Sequence, residues 1–209
     1  MELFDVIRTR RSIRSYRKDP VPEELVKEIL DAARWAPSGK NRQHWHFIVI
    51  TDETLKKKVG EIWGDAAQRY FGKKTAESLY EEMKEQPEEF RDEEWVKTSQ
   101  SGSAYRYCFG APLLIAVAIN NPEIENNFPS AFQAIQNMIL AAHALGLGTC
   151  VTRRIVKRPD DRKKFQRLLK VPEDYEMVAL VTVGYPAKIP VSRRRDLKEM
   201  VHYDTFGNR

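Results

Sequence analysis

The chain is poor in the residues and runs that mark several common chemistries. It carries only two cysteines in 209 residues. Cys108 and Cys150 are too far apart for a disulfide framework or a thiolate metal cluster, so free thiols are expected. His44 and His46 stand two apart without a third ligand at suitable spacing, and no metal site is expected. No apolar run reaches the roughly 18 residues that a spanning helix needs, so no membrane partner is expected. The start, Met1-Glu2-Leu3-Phe4-Asp5, has no basic region leading into an apolar one, and a cytoplasmic location is the expectation. There is no P-loop and no Gly-x-Ser-x-Gly elbow. Gly146-Leu147-Gly148-Thr149-Cys150-Val151-Thr152 partly echoes a dinucleotide fingerprint. Its glycines, however, end a helical pattern and feed a strand-like one, and Val151 replaces the third glycine.

Neither sign of charge is scarce, but the two are segregated. The formal net charge is +5, with acids crowded between Glu77 and Glu94 and bases between residues 153 and 170. The bases are not interleaved with aromatics and no nucleic-acid motif appears, so no nucleic-acid partner is expected. With 42% apolar residues, a chain of this length supports one core, and residues 1–209 read as a single domain.

Pro22-Glu23-Glu24 opens a helical pattern carried by Leu25, Ile29, Leu30 and Ala33, bounded by Pro37. His46 to Ile50 reads as a short strand, and Glu53 to Tyr70 as a charged helix. The acidic stretch of about 73–97 is helix-prone, broken near Pro87 and poor in apolar residues; it reads as a cover over a site. Pro112 to Ile119 is apolar throughout, the pattern of a central strand buried on both faces. Ser130 to Leu145 reads as a buried helix stopped by Gly146. Its small residues make it a candidate seam between subunits. Val178 to Pro186 reads as a second buried strand ending in a turn.

Four stretches could carry chemistry. Arg10-Arg11-Ser12-Ile13-Arg14 follows a short helical segment and concentrates guanidiniums and a hydroxyl, the donor set of an anion clamp. In an extended chain residues 10, 12 and 14 share a face; a solvated basic turn is the alternative. The loop Pro37-Ser38-Gly39-Lys40-Asn41-Arg42-Gln43 offers amide and hydroxyl groups suited to the edge of a heteroaromatic ring, though a structural loop uses the same residue types. The strand-like Thr149 to Thr152 is the third. Arg193-Arg194-Arg195 is the fourth, able to complete the clamp if the two ends of the chain meet.

In their order along the chain, these pieces resemble the FMN-dependent nitroreductase family. The match rests on Arg10 to Arg14, Ala32-Ala33-Arg34-Trp35-Ala36-Pro37-Ser38-Gly39-Lys40-Asn41-Arg42-Gln43, Gln136-Asn137, Ala141-Ala142-His143-Ala144-Leu145-Gly146-Leu147-Gly148, and Val181 to Pro186. The resemblance implies an α+β fold, with a mixed, mostly antiparallel sheet flanked by helices and an intertwined homodimer with FMN at the interface. By position, it implies that Arg10, Arg11, Ser12 and Arg14 hold the FMN phosphate and ribityl end, joined by Arg194 and Arg195. Pro37, Ser38, Gly39 and Asn41 would reach flavin across the interface, with Gln43 nearby, and Thr149, Cys150, Val151 and Thr152 would run beside the ring. The implied activity is ping-pong reduction of an electron-poor small molecule, such as a nitroaromatic or quinone, with NADH or NADPH as co-substrate. No side-chain nucleophile is needed. Asp196 departs from the family, which often has proline there, and leaves open which of the three arginines meets phosphate. A dehalogenase resembling iodotyrosine deiodinase would need a glutamate, a tyrosine and a lysine in the cover, where Glu77, Tyr80 and Lys84 or Lys97 are available. A flavin-fragmenting relative that makes the lower ligand of cobalamin, a non-catalytic flavin or nucleotide module and a basic RNA-binding protein are the remaining readings.

Overall fold

The computed structural model describes residues 1–71, 110–120, 122–191 and 194–208. The acidic stretch read as a cover lies outside them. The described helices are α1 (Leu3–Thr9), α2 (Glu23–Arg34), α3 (Glu53–Phe71), α4 (Asn127–Ala144), α5 (Arg154–Lys157) and α6 (Pro159–Leu168). The strands are β1 (Trp45–Ile50), β2 (Leu113–Asn120), β3 (Gly148–Thr152) and β4 (Tyr175–Gly184), paired in the order β1-β2-β4-β3.

The apolar run of β2 has the cause expected for it. Leu113, Ile115, Val117 and Ile119 face a layer containing α2 and α4, while Leu114, Ala116 and Ala118 face α3, α5 and α6. Alternation along one strand therefore feeds two cores, and no polar position can be spared. β4 does the same. Its bulge between the pairs Val117–Ala179 and Ala118–Met177 lets Val178 and Ala179 both join the α2 and α4 side before Met177 returns to the other.

All pairings between the described strands are antiparallel, in keeping with the expected mostly antiparallel sheet. The parallel contact among the described residues is an isolated bridge from Ser12 to Thr149. The segment after α1 contributes a strap here and not a strand.

In α4, Ala131, Ala134, Met138 and Ala142 recur at helical spacing and are fully buried. Those alanines are small because α2 closes on α4 within the same chain, where Asn137 Nδ2 donates to the Ala32 carbonyl at 3.2 Å. Gly146 ends the helix at φ +80°. Its N–H reaches the His143 carbonyl at 3.0 Å and that of Leu147 reaches Ala142 at 2.8 Å, a pairing that turns the chain directly into β3. Among the described residues no helix is long and apolar enough to cross a membrane.

Candidate functional site

The segment from Arg10 to Arg17 is strapped across the ends of β3 and β4. Ile13 N–H donates to the Thr149 carbonyl at 2.8 Å, Arg17 N–H to Tyr185 at 2.9 Å, and Ala187 N–H to Ser15 at 2.9 Å. The Tyr16 hydroxyl donates to the Ile13 carbonyl at 2.6 Å and shares a 2.6 Å hydrogen bond with Thr182 Oγ1. Two glycines permit this approach. A Cβ on Gly148 would lie 2.6 Å from Ile13 Cγ1, and one on Gly184 would lie 2.5 Å from Pro112 Cδ and 3.0 Å from Tyr16 Cδ1. Gly148, Gly184 and Thr182 lie in stretches that carry the family resemblance, but the sequence does not show that the strap packs against them, and Tyr16 carries no motif that would single it out.

With Ile13 turned inward and buried, Ser12 and Arg14 lie on the outer side of the strap. Arg10 caps the end of α1, its N–H bonded to the Val6 carbonyl. Arg11 folds back, donating through Nη1 to the Arg8 carbonyl at 2.7 Å and to the Arg10 carbonyl at 2.9 Å. The Arg10 guanidinium has its pKa pressed below the ordinary arginine value by burial first, then by Arg194 and by Arg11. Arg194, in the carboxyl-terminal segment, thus bears on Arg10 near the start of the chain, which no sequence argument could show. Arg10 and Arg14 also bear on Cys150, whose thiol is nevertheless pushed up by burial. Like charges gathered around one point repel unless an anion lies among them. The assembly is suited to a phosphate.

Arg195 is engaged elsewhere, its Nε 2.9 Å from Glu199 Oε2 on an exposed turn. Asp196 caps that turn by accepting the Lys198 N–H at 3.1 Å, a use for the aspartate that stands in place of proline. Arg193 lies outside the described residues.

The loop of residues 37–43 is exposed apart from half-buried Ser38. Lys40, Asn41 and Gln43 all take left-handed backbone, at φ of 55°, 54° and 54°. Such conformations are costly for residues with a Cβ, and the loop holds them through its own polar groups. Gln43 N–H donates to Ser38 Oγ at 3.0 Å, and Gln43 Nε2 to the Asn41 carbonyl at 3.1 Å.

One chain does not bring this loop to the arginines. Gly39 sits against Asn126, at the start of α4. Thr9, next to Arg10, touches His143 at its end. A helix rises 1.5 Å per residue, so the two groups are about 25 Å apart along α4. The sheet register agrees: the loop enters edge strand β1 beside Ile119, whereas the strap lies on the opposite edge strand, β3, beside Val183.

β3 carries Thr149 to Thr152. The Thr149 carbonyl, taking the Ile13 N–H, points away from β4, and by strand alternation Val151 presents its N–H and C=O to that same open edge. Cys150 instead faces β4 through its backbone, where Thr182 Oγ1 lies 3.3 Å from its carbonyl. Thr152 Oγ1 takes the Trp63 indole N–H at 3.1 Å and anchors the far end of the strand. His44 Nδ1 is 2.8 Å from Asn120 Oδ1 and His46 packs edge-on to Tyr175, so both serve the fold. Among the described residues no cluster of metal-ligating side chains occurs.

The model of the Nitroreductase family matches residues 7–185. A protein of Methanothermobacter thermautotrophicus, described as a candidate NADH dehydrogenase/NAD(P)H nitroreductase, is 29% identical, covering 99% of this chain and 88% of its own. Iodotyrosine deiodinase of Thermotoga neapolitana is 25% identical, covering 98% of each. Among solved structures, a candidate nitroreductase of Desulfovibrio desulfuricans in complex with FMN superimposes with a TM-score of 0.72. It is 27% identical, over 99% of this chain and 98% of that one.

Proposed function

The chain belongs to the nitroreductase family, and from that premise we propose that it is an FMN-dependent oxidoreductase that uses NAD(P)H to reduce electron-poor small molecules by a ping-pong mechanism. The observation that carries this reading is the convergence of Arg10 with Arg11 and Arg194 beside the open edge of β3.

That donor set fits FMN. Arg10 and Arg14 would grip its phosphate, with Ser12 adding a neutral donor and Arg194 closing the clamp from the carboxyl-terminal segment. Arg11, already bonded to the end of α1, would contribute field more than contact. Thr149, Cys150, Val151 and Thr152 would line the ring, with the Val151 N–H positioned to orient its edge. When bound, the flavin supplies hydride and electron transfer between a nicotinamide and an acceptor. The protein's part is to hold the ring, to keep positive charge near it and to expose one face to the two substrates in turn.

The Pro37, Ser38, Gly39, Asn41 and Gln43 loop belongs to this site only if a second copy provides it. A ligand touching both the arginines and the loop of one chain would have to span about 25 Å along α4. A homodimer supplies the loop from the partner. Exposed Leu3, Phe4 and Ile7 on α1, and Ile189, Val191, Met200 and Phe206 in the carboxyl-terminal segment, offer the apolar surface such a dimer would cover.

Nitroaromatics and quinones are the proposed acceptors. The Thermotoga relative, matched over almost its whole length, favours reductive dehalogenation of a halogenated tyrosine as the second reading. The test is anaerobic titration of the purified flavoprotein with NADH and NADPH, followed by a panel of nitroarenes, quinones, enones and halotyrosines. Bleaching by a nicotinamide and reoxidation by nitroarenes or quinones supports the first reading; turnover restricted to halotyrosines selects the second. A bound flavin that neither nicotinamide reduces overturns the NAD(P)H reading in favour of a binding module.

A further inference from the structure

His143 belongs to the stretch that marks the family, yet nothing in the proposed reaction uses it. It lies in the last turn of α4, and its Nε2 is 2.8 Å from Thr9 Oγ1. The same hydroxyl is 2.6 Å from the Asp5 carbonyl, to which it must donate, because a carbonyl has no proton to give. A hydroxyl has a single proton. The Thr9 oxygen is therefore an acceptor toward His143, Nε2 carries the hydrogen, and Nδ1 is the nitrogen free to take a second proton. α1 needs this bolt: it is seven residues long and buries only Val6. The residue that follows Thr9 is Arg10.

The surroundings of His143 are cationic. Burial, Arg10 and Arg11 all hold its pKa below the ordinary histidine value. From α1 the other ionisable groups are Asp5 and Arg8. β3 brings Cys150, and α2 carries Glu23, Glu24 and Lys27 in its first turns, with Glu23 and Lys27 closed on each other at 2.7 Å. The position of His143 at a helix C-terminus favours the charged form, but in the absence of an anion burial and then the two arginines outweigh it.

We propose that His143 is a positioning residue of the phosphate site, its Nε2–H fixing the end of α1 and so Arg10, and its Nδ1 taking up a proton when a phosphate dianion settles against Arg10 and Arg11. This rests on the flavin reading and adds a linkage to it. An anion offsets the charge of both arginines and so raises the pKa of His143. By linkage, phosphate affinity then gains as pH falls from the bound-state pKa of His143 toward its free-state one, and the gain is complete below both. The phosphate opposes this by releasing protons as the arginines lower its second ionisation. The diagnostic quantity is thus the difference between the wild type and a variant that keeps the donor but cannot titrate.

His143→Gln is that variant, since an amide N–H can replace Nε2–H. Calorimetric titration of the apoprotein with FMN, at a series of pH values in buffers of different ionisation enthalpy, counts protons taken up on binding. The wild type is expected to take up more protons than His143→Gln, the difference peaking at about half a proton for a one-unit rise in pKa. Riboflavin, which lacks the phosphate, should show no such difference. Thr9→Val, which removes the bolt, should weaken FMN binding several-fold at every pH. Equal proton uptake by wild type and His143→Gln, with FMN bound by both, overturns the linkage and leaves the flavin reading standing. FMN affinity unchanged in Thr9→Val overturns the positioning role. Failure of the wild type to bind FMN overturns the flavin reading itself.

Discussion

Replacing Gly148 by alanine tests whether the strap really depends on the close approach of Ile13 to β3. The new Cβ would stand 2.6 Å from Ile13 Cγ1, 2.8 Å from its Cβ and 2.9 Å from its Cγ2. Carbon atoms pack at about 3.5 to 4.0 Å, so Ile13 would have to retreat by about 1 Å. It has nowhere to go, being only 3% exposed and tied through its own N–H to the Thr149 carbonyl. Overpacking of this kind costs about 1 to 3 kcal/mol, and a stretched or lost hydrogen bond adds about 1. Against a typical domain stability of about 5 to 15 kcal/mol that is a large loss. Urea unfolding monitored by tryptophan fluorescence would read it as a lower midpoint at constant slope. The geometry makes a sharper claim about rescue. Ile13→Val keeps all three clashing positions and should not help Gly148→Ala. Ile13→Ala removes two of them, and although it costs about 2 to 5 kcal/mol alone by opening a cavity, the double variant should be at least about 1 kcal/mol more stable than the sum of the singles. Additivity within about 0.5 kcal/mol would refute the contact, as would a Gly148→Ala protein of unchanged midpoint.

The same strap carries the proposed clamp, so Arg10→Ala and Arg14→Ala should each weaken FMN binding by about 1.5 to 3 kcal/mol, read as flavin retention or by fluorescence titration; unchanged affinity in both would remove the phosphate assignment. Subunit mixing tests the composite site. Arg10→Ala with Arg14→Ala disables one half, and Asn41→Gly with Gln43→Gly removes the loop side chains without straining their positive φ. If the halves come from different copies, a randomised equimolar mixture of the two variants should restore binding at about a quarter of the sites, since half the dimers are mixed and each has one intact site. No recovery, or a monomeric mass with full flavin occupancy, would defeat the dimer.

Much of this architecture was legible in the chain before any coordinates. β2 has no polar position between Leu113 and Ile119, which requires cover on both faces, and α4 repeats buried residues every three or four positions until Gly146. The helix start at Pro22-Glu23-Glu24 and the strand ending at Ile50 follow from equally local signals, because hydrophobic period and turn chemistry act over a few residues. Composition and motif absence also removed metal, membrane and nucleic-acid partners from the expectations. The ordered stretches from Arg10 to Pro186 pointed to the family without any contact being known.

Only the tertiary structure decided what those stretches are near. Arg10 and Arg194 are separated by almost the whole chain, yet the charge of one bears on the other, and the strap over β3 that carries Arg10 depends on the missing Cβ of Gly148. The resemblance implies that the loop at Ser38 to Gln43 reaches flavin across an interface, and within one chain α4 holds it about 25 Å from the arginines, so the site, if built as proposed, needs a second copy. The buried alanines of α4 lie in the core that it shares with α2, a partner that the helical period does not name. His143 had no visible role until its Nε2 was found against Thr9. In each case the deciding quantity is a distance between residues remote in sequence, and such distances come from packing, to which local pattern is blind.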